Sequence, residues 1–174
     1  MRSVCLWCAI LAAVAIVSAA ESLRIVPIVS GDQVLVSFEL TDAFTDEIRE
    51  AIASGLRTTF TYDVELRMIV PAWVDRTIAT AVISTNDVYD NLTRRHTITR
   101  TIDGRVDEAS VTEDVSVVRR WLTIFHRVPL CGTARLDPTR DYYVRIRARV
   151  RPHGGSLLDW ASGVTGQAKF TFIP

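Results

Sequence analysis

The sequence predicts an α+β domain: a mostly antiparallel, sandwich-like β-sheet of about seven to eight strands with two packed α-helices. Three observations predict it. Val, Ile and Thr make 48 of the 154 residues after Ala20, and these stiff β-branched side chains favour pleated surfaces. Apolar and polar residues alternate with period two in several stretches bounded by Gly, Asp or Pro. Two further stretches place apolar residues at helical spacing behind acidic starts.

The chain opens with MRSVCLWCAILAAVAIVSAA, which reads as a signal peptide over residues 1–20. Arg2 is its positive end, Ser3 to Val17 carry no charge, and Ser18-Ala19-Ala20 offers small residues for a cut after Ala20. The apolar run is shorter than the ~20 residues of a spanning helix. The mature form is therefore expected to be exported, most simply to the periplasm, and not membrane-spanning. The alternative is a tether to the inner membrane by the uncleaved segment. Cys5 and Cys8 would leave with the peptide, so Cys131 is the one mature cysteine. One thiol makes no internal disulfide, and a plain buried packing role is expected for it ahead of a nucleophile or a dimer link. No linker, repeat or second long apolar run divides residues 21–174, which read as a single domain.

The strands follow in order. Arg24 to Val29, Ser30-Gly31-Asp32 and Gln33 to Leu40 read as a hairpin. Thr59 to Val70 alternates most cleanly, with Phe60, Tyr62, Val64, Leu66 and Met68 on one face. Thr61, Asp63, Glu65 and Arg67 share the other, and Pro71 ends the strand. A strand is expected near Arg76 to Ser84. Thr93 to Ile102, Asp103-Gly104 and Arg105 to Val111 read as a hairpin, because Asp-Gly suits a type I′ turn. Asp141 to Arg151 alternates again, and Lys169 to Ile173 would close the sheet.

The first helix is expected over Asp46 to Ser54, capped by Thr45, with Asp46 and Glu47 complementing the helix dipole and Gly55 following its end. The second is expected to begin after Thr112. Val115, Val118, Leu122 and Phe125 make its apolar stripe, Arg127 lies near its end and Pro129 stops it. Residues 152–167 are the least regular, with one short helical turn expected around Leu157, Leu158 and Trp160.

Several of these segments resemble one bacterial family. They are the Gly-Asp-Gln hairpin, L-T-D-A-F-T-D-E-I-R-E-A-I-A-S-G-L at 40–56, Pro71-Ala72-Trp73, L-T-R-R-H-T-I-T-R at 92–100, and L-D-P-T-R-D-Y-Y-V-R-I-R at 136–147. The chain resembles the family called domain of unknown function 4390 over nearly all of its mature part. The resemblance implies an exported or membrane-associated bacterial protein with a link to envelope signalling. It carries no catalytic residues and no activity.

The residues themselves point away from common chemistries. Twenty Lys+Arg against 20 Asp+Glu leave no basic excess of the kind nucleic-acid binders show. His96, His126 and His153 are dispersed, no metal-ligand spacing remains after export, and no metal or cofactor is expected. There is no G-x-S-x-G elbow and no phosphate loop. Carboxylates pair in the sequence at Asp63 with Glu65 and at Asp87 with Asp90; Asp63 and Glu65 share one strand face and read as a solvated face rather than a glycosidase pair. Trp73, Trp121 and Trp160 are expected at the core or its edge. Gly163-Val164-Thr165-Gly166 reads as a loop.

The most suggestive pattern is Arg145, Arg147, Arg149 and Arg151. Period-two spacing puts four guanidiniums on one sheet face over about 20 Å. Such a stripe suits an acidic partner, or it is balanced by neighbouring strands bearing Asp63, Glu65 or Glu39. The expected function is a non-enzymatic protein-interaction domain of the bacterial envelope, its partner another envelope or inner-membrane protein. Two alternatives stay open. One is a carrier or sensor of a small apolar ligand or lipid, with Ser156 to Val164 as a lid. The other is a hydrolase whose site is assembled only in space.

Overall fold

The computed structural model describes residues 22–152 and 163–173. The expected signal peptide, His153, the helical turn around Leu157, Leu158 and Trp160, and most of the proposed lid lie outside the described residues. In chain order the elements are β1 (Leu23–Ser30), β2 (Gln33–Leu40), α1 (Asp46–Ala53), β3 (Thr58–Met68), β4 (Arg76–Asp90), β5 (Arg95–Ile102) and β6 (Arg105–Thr112). They continue with α2 (Val115–Thr123), β7 (Ile124–Gly132), a 3-10 turn at Thr133–Arg135, β8 (Asp141–Pro152) and β9 (Val164–Thr171). The nine strands among the described residues form a three-stranded sheet, β1-β2-β7, and a six-stranded sheet, β6-β5-β4-β3-β8-β9. Every pairing is antiparallel.

Local chemistry accounts for most boundaries. Asp103 and Gly104 both have positive φ, +49° and +78°, as a type I′ turn requires. The Asp103 carboxylate accepts the Val82 N–H at 2.8 Å and so ties this hairpin back to β4. The Thr45 hydroxyl accepts the Ile48 N–H at 3.3 Å, capping α1. Gly55 follows α1 with φ +83°, and a Cβ there would lie 2.9 Å from Asn91 Nδ2. The left-handed backbone therefore favours glycine, while the Asn91 amide could swing away from a side chain there.

Four expectations are corrected. The second helix ends at Thr123, and Phe125, Arg127 and Pro129 belong to β7. Phe125 continues the helical stripe, but pairing with β2 sets it opposite Phe38, with the rings stacked at 4.4 Å. Pro129 is tolerated because β7 is an edge strand and its register with β2 is irregular there. The helix also starts later than expected: Asp114 is its N-cap and accepts the Ser116 N–H at 2.7 Å. Next, β4 continues past Ser84 to Asp90, where β5 supplies its partner. Then β9 begins at Val164, so the G-x-x-G run is strand rather than loop. Last, Trp73 is 81% exposed, at the tip of the β3–β4 turn rather than at the core.

The core lies between the sheets. Val34, Val36, Phe38 and Leu40 of β2 face Phe60, Tyr62, Val64 and Leu66 of β3 and Val144, Ile146 and Ala148 of β8. Phe38, Tyr62 and Phe125 make a three-ring contact with centroids 4.4–5.2 Å apart. Fully burying a side chain of this size contributes roughly 1.5–3 kcal/mol. The rest of the large sheet's inner face is covered by the helices, through Ile48 and Ile52 of α1 and Val118 and Leu122 of α2. The Tyr62 hydroxyl donates to the Leu122 carbonyl at 2.7 Å and links β3 to the end of α2. Burial pushes the Tyr62 phenol far above its ordinary range, with the charge of Arg100 opposing this weakly.

Candidate functional site

The inner face of β8 is filled by apolar side chains, so its odd-numbered residues must point outward. The four predicted arginines therefore share the outer face of the large sheet. The register sets Arg145 opposite Glu65, Arg147 opposite Asp63 and Arg149 opposite Thr61 on β3. On the other side, Gln167 and Thr165 of β9 face Arg145 and Arg147. Arg145 donates to Glu65 at 2.6 Å, and Arg67 lies 3.7 Å from the same carboxylate. Arg149 reaches diagonally to Asp63 at 2.5 Å. Asp63 and Glu65 are thus half-buried ion-pair partners rather than freely solvated carboxylates. Glu39 plays no part, because β2 belongs to the other sheet.

Charge on this face is polarised along β8. At the Tyr143 end, Arg67, Arg145 and Lys169 are matched by Glu65, Asp75 and Asp141. At the other end Arg147 lies opposite Asp63 and Arg149 pairs with it. Arg147 is exposed and pairs with no carboxylate among the described residues. Ion pairs this close to solvent contribute only about 0–1 kcal/mol each. Their effect is on surface potential more than on stability.

The β3–β4 turn borders the Tyr143 end. Its Asp75 accepts the Tyr143 hydroxyl at 2.9 Å and the Val70 N–H at 3.3 Å, and its backbone carbonyl accepts from Arg67 at 2.8 Å. The Tyr143 hydroxyl, then the Val70 N–H, hold the Asp75 carboxyl below its ordinary value. Burial and Asp75 push the Tyr143 phenol up. This anchoring holds Trp73 and Val74 out in solvent at the rim of the face.

One histidine meets a carboxylate inside the protein. His96 Nδ1 lies 2.9 Å from Asp87 Oδ2, and both side chains are buried. Burial pushes the Asp87 carboxyl above its ordinary value, and its hydrogen bond with His96 partly opposes this. Among the described residues no hydroxyl or thiol hydrogen-bonds His96 to complete a nucleophilic trio, and the pair lines neither groove beside α2 and β7. Cys131 is half-buried in β7, and burial pushes its thiol up, away from the thiolate a nucleophile needs. No three His, Cys, Asp or Glu side chains are clustered for a metal among the described residues. Spacing could not reveal the Asp87–His96 pair, because it depends on how far β4 extends.

The fold and its basic face define an antiparallel two-sheet sandwich with helices completing one layer. The chain belongs to the family described as Domain of unknown function (DUF4390), whose model matches residues 18–153. That span includes both segments that carry the resemblance most specifically, α1 with its Gly55 and the Tyr142-Tyr143-Val144-Arg145 strand. No curated protein and no solved structure matches the chain.

Proposed function

We propose that this protein is an exported, non-enzymatic interaction domain of the bacterial envelope. It binds an acidic surface of another envelope or inner-membrane protein through the Arg147–Arg151 end of β8. The observation that carries this reading is the charge imbalance there: Arg147 lies opposite Asp63, but that carboxylate takes its hydrogen bond from Arg149, which leaves the exposed Arg147 guanidinium facing solvent. Rigid strands hold these guanidiniums on one face, so a partner orders little on binding. Arginine forks suit carboxylate groups, and complementary potential speeds encounter. Export rests on the form of residues 1–20, and the link to envelope signalling rests on the family resemblance.

The test uses a variant carrying Arg147→Glu and Arg149→Glu, with Arg147→Glu alone as the milder change. Cross-linking in envelope extracts should recover one acidic protein with the wild type. The same protein should be lost with either variant while circular dichroism and melting temperature stay unchanged. Wild-type recovery should also fall as salt rises from about 0.05 to 0.5 M, as screening shortens the reach of surface charges. Recovery unchanged by the charge reversals overturns the proposal. So does charge-dependent binding to anionic vesicles without a protein, which would assign the face to lipid.

A further inference from the structure

We propose that the groove between β5, α2 and the start of β7 is a binding site for a small oxyanion, a carboxylate or phosphate group. The site is separate from the outer face and does not depend on the reading of that face. The groove has a volume of about 320 Å³ and is lined by Arg100, Val117, Arg120, Trp121, Ile124 and His126. That lies at the lower end of the range for small-ligand sites.

Arg100 is the centre of the argument. It sits on the inner face of β5, and its side chain is 17% exposed. Its guanidinium stacks 4.7 Å from the ring centres of both Trp121 and Phe125. It donates to the Trp121 carbonyl at 3.2 Å. Its nearest carboxylate, on Glu108, is 3.7 Å away and half exposed. Its Nε is buried with no hydrogen-bond partner, and so is Trp121 Nε1 beside it. A buried cation and a buried N–H are costly when left under-bonded. Two such donors in adjacent side chains of one groove wall mark a place where acceptor oxygens are wanted.

The groove lining adds more positive charge, while the nearby carboxylates, Glu108 and Asp107 by Arg100 and Asp114 by Arg120, lie outside it. Arg120 adds a second guanidinium, which donates to the Ser116 hydroxyl at 3.3 Å. His126 adds an imidazole, and no carboxylate lines the groove. Glu39 lines a smaller neighbouring groove, of about 150 Å³, that shares only Ile124 and His126 with this one. Two guanidiniums against an indole wall match a small oxygen anion better than an apolar ligand.

The experiment titrates the full mature chain with sodium phosphate and, separately, with sodium succinate at constant ionic strength. Binding is read by calorimetry and by the NMR shift of the Trp121 indole N–H. Saturable binding of one or both anions, with movement of that N–H, is expected. Phosphate alone, or succinate alone, identifies which oxyanion the site takes. Arg120 is exposed, so Arg120→Gln should fold normally and weaken binding about tenfold. Arg100→Lys keeps the charge, removes the planar fork and should weaken it at least as much. The proposal is overturned if neither anion saturates, or if Arg120→Gln binds both as the wild type does.

Discussion

Asp87 and His96 show how a single pair can be both a liability and a fixed point. Asp87 Oδ1 has no hydrogen-bond partner, and Oδ2 has His96. The His96 ring also packs on Tyr89, with centroids 4.6 Å apart. His96→Ala should destabilise the fold by about 3 kcal/mol, because it leaves a buried carboxyl uncompensated. Asp87→Asn removes the ionisable group but keeps the shape, and should cost about 1 kcal/mol or less. Urea unfolding of both variants and of the double variant measures the coupling; a purely additive result would mean the pair is not energetically linked. The pH dependence has a definite sign. The folded Asp87 carboxyl is raised above its ordinary value of 3.8. Its contribution is therefore fully present below that value and is lost as pH rises through the folded value. The stability of the wild type relative to Asp87→Asn should fall with rising pH across that window. A flat difference would mean that the carboxyl is not desolvated. None of this was legible from spacing. Ile83, Thr85, Asp87 and Tyr89 occupy successive inner positions, and two polar residues among them hide the alternation that would have extended β4.

The boundary between α2 and β7 is hidden in the sequence for a related reason. Helical spacing from Val115 to Phe125 is satisfied equally by a helix that stops and a strand that turns the next aromatic inward. Pairing with β2 decides between them. The join is held by the Tyr62 hydroxyl on the Leu122 carbonyl. Tyr62→Phe should lower stability by about 1–2 kcal/mol, since a buried carbonyl loses its donor. Chemical denaturation measures this, and an unchanged midpoint would show that the carbonyl finds another partner. The β1–β9 seam depends on a missing side chain. A Cβ at Gly166 would meet Leu23 and Ile25 side-chain atoms at 3.2–3.3 Å. Gly166→Val should therefore push the two sheets apart and cost about 1–3 kcal/mol. A melting temperature equal to that of the wild type would show that the seam relaxes freely. By contrast α1 is legible almost residue for residue, because Thr45, Asp46, Glu47 and Gly55 are signals that act within one helical turn.

The two sheets do not have separate cores. Val36 and Phe38 of the small sheet join Tyr62, Val64 and Ile146 of the large one in a single buried cluster. Unfolding should therefore be one cooperative event. Far-ultraviolet circular dichroism and tryptophan fluorescence should give coincident urea transitions. Separated midpoints would mean that one sheet melts first.

The α+β class, all but β7 of the nine strands among the described residues, both helices and the four-arginine face could all be read from the order of residues alone, apart from the bounds of β4, β9 and α2. Alternation, caps and turn chemistry are short-range, and each is decided by neighbours a few positions away. Register and coverage are not. Glu65 lies 80 positions from Arg145, and only the pairing of β3 with β8 makes it the counter-charge while excluding Glu39. The same pairing leaves Arg147 exposed. The meeting of α2, β5 and β7 likewise buries Arg100 against two aromatic rings. Which faces meet is settled by the fit of side chains far apart in sequence, so the two surfaces proposed to bind exist only once the sheets have packed.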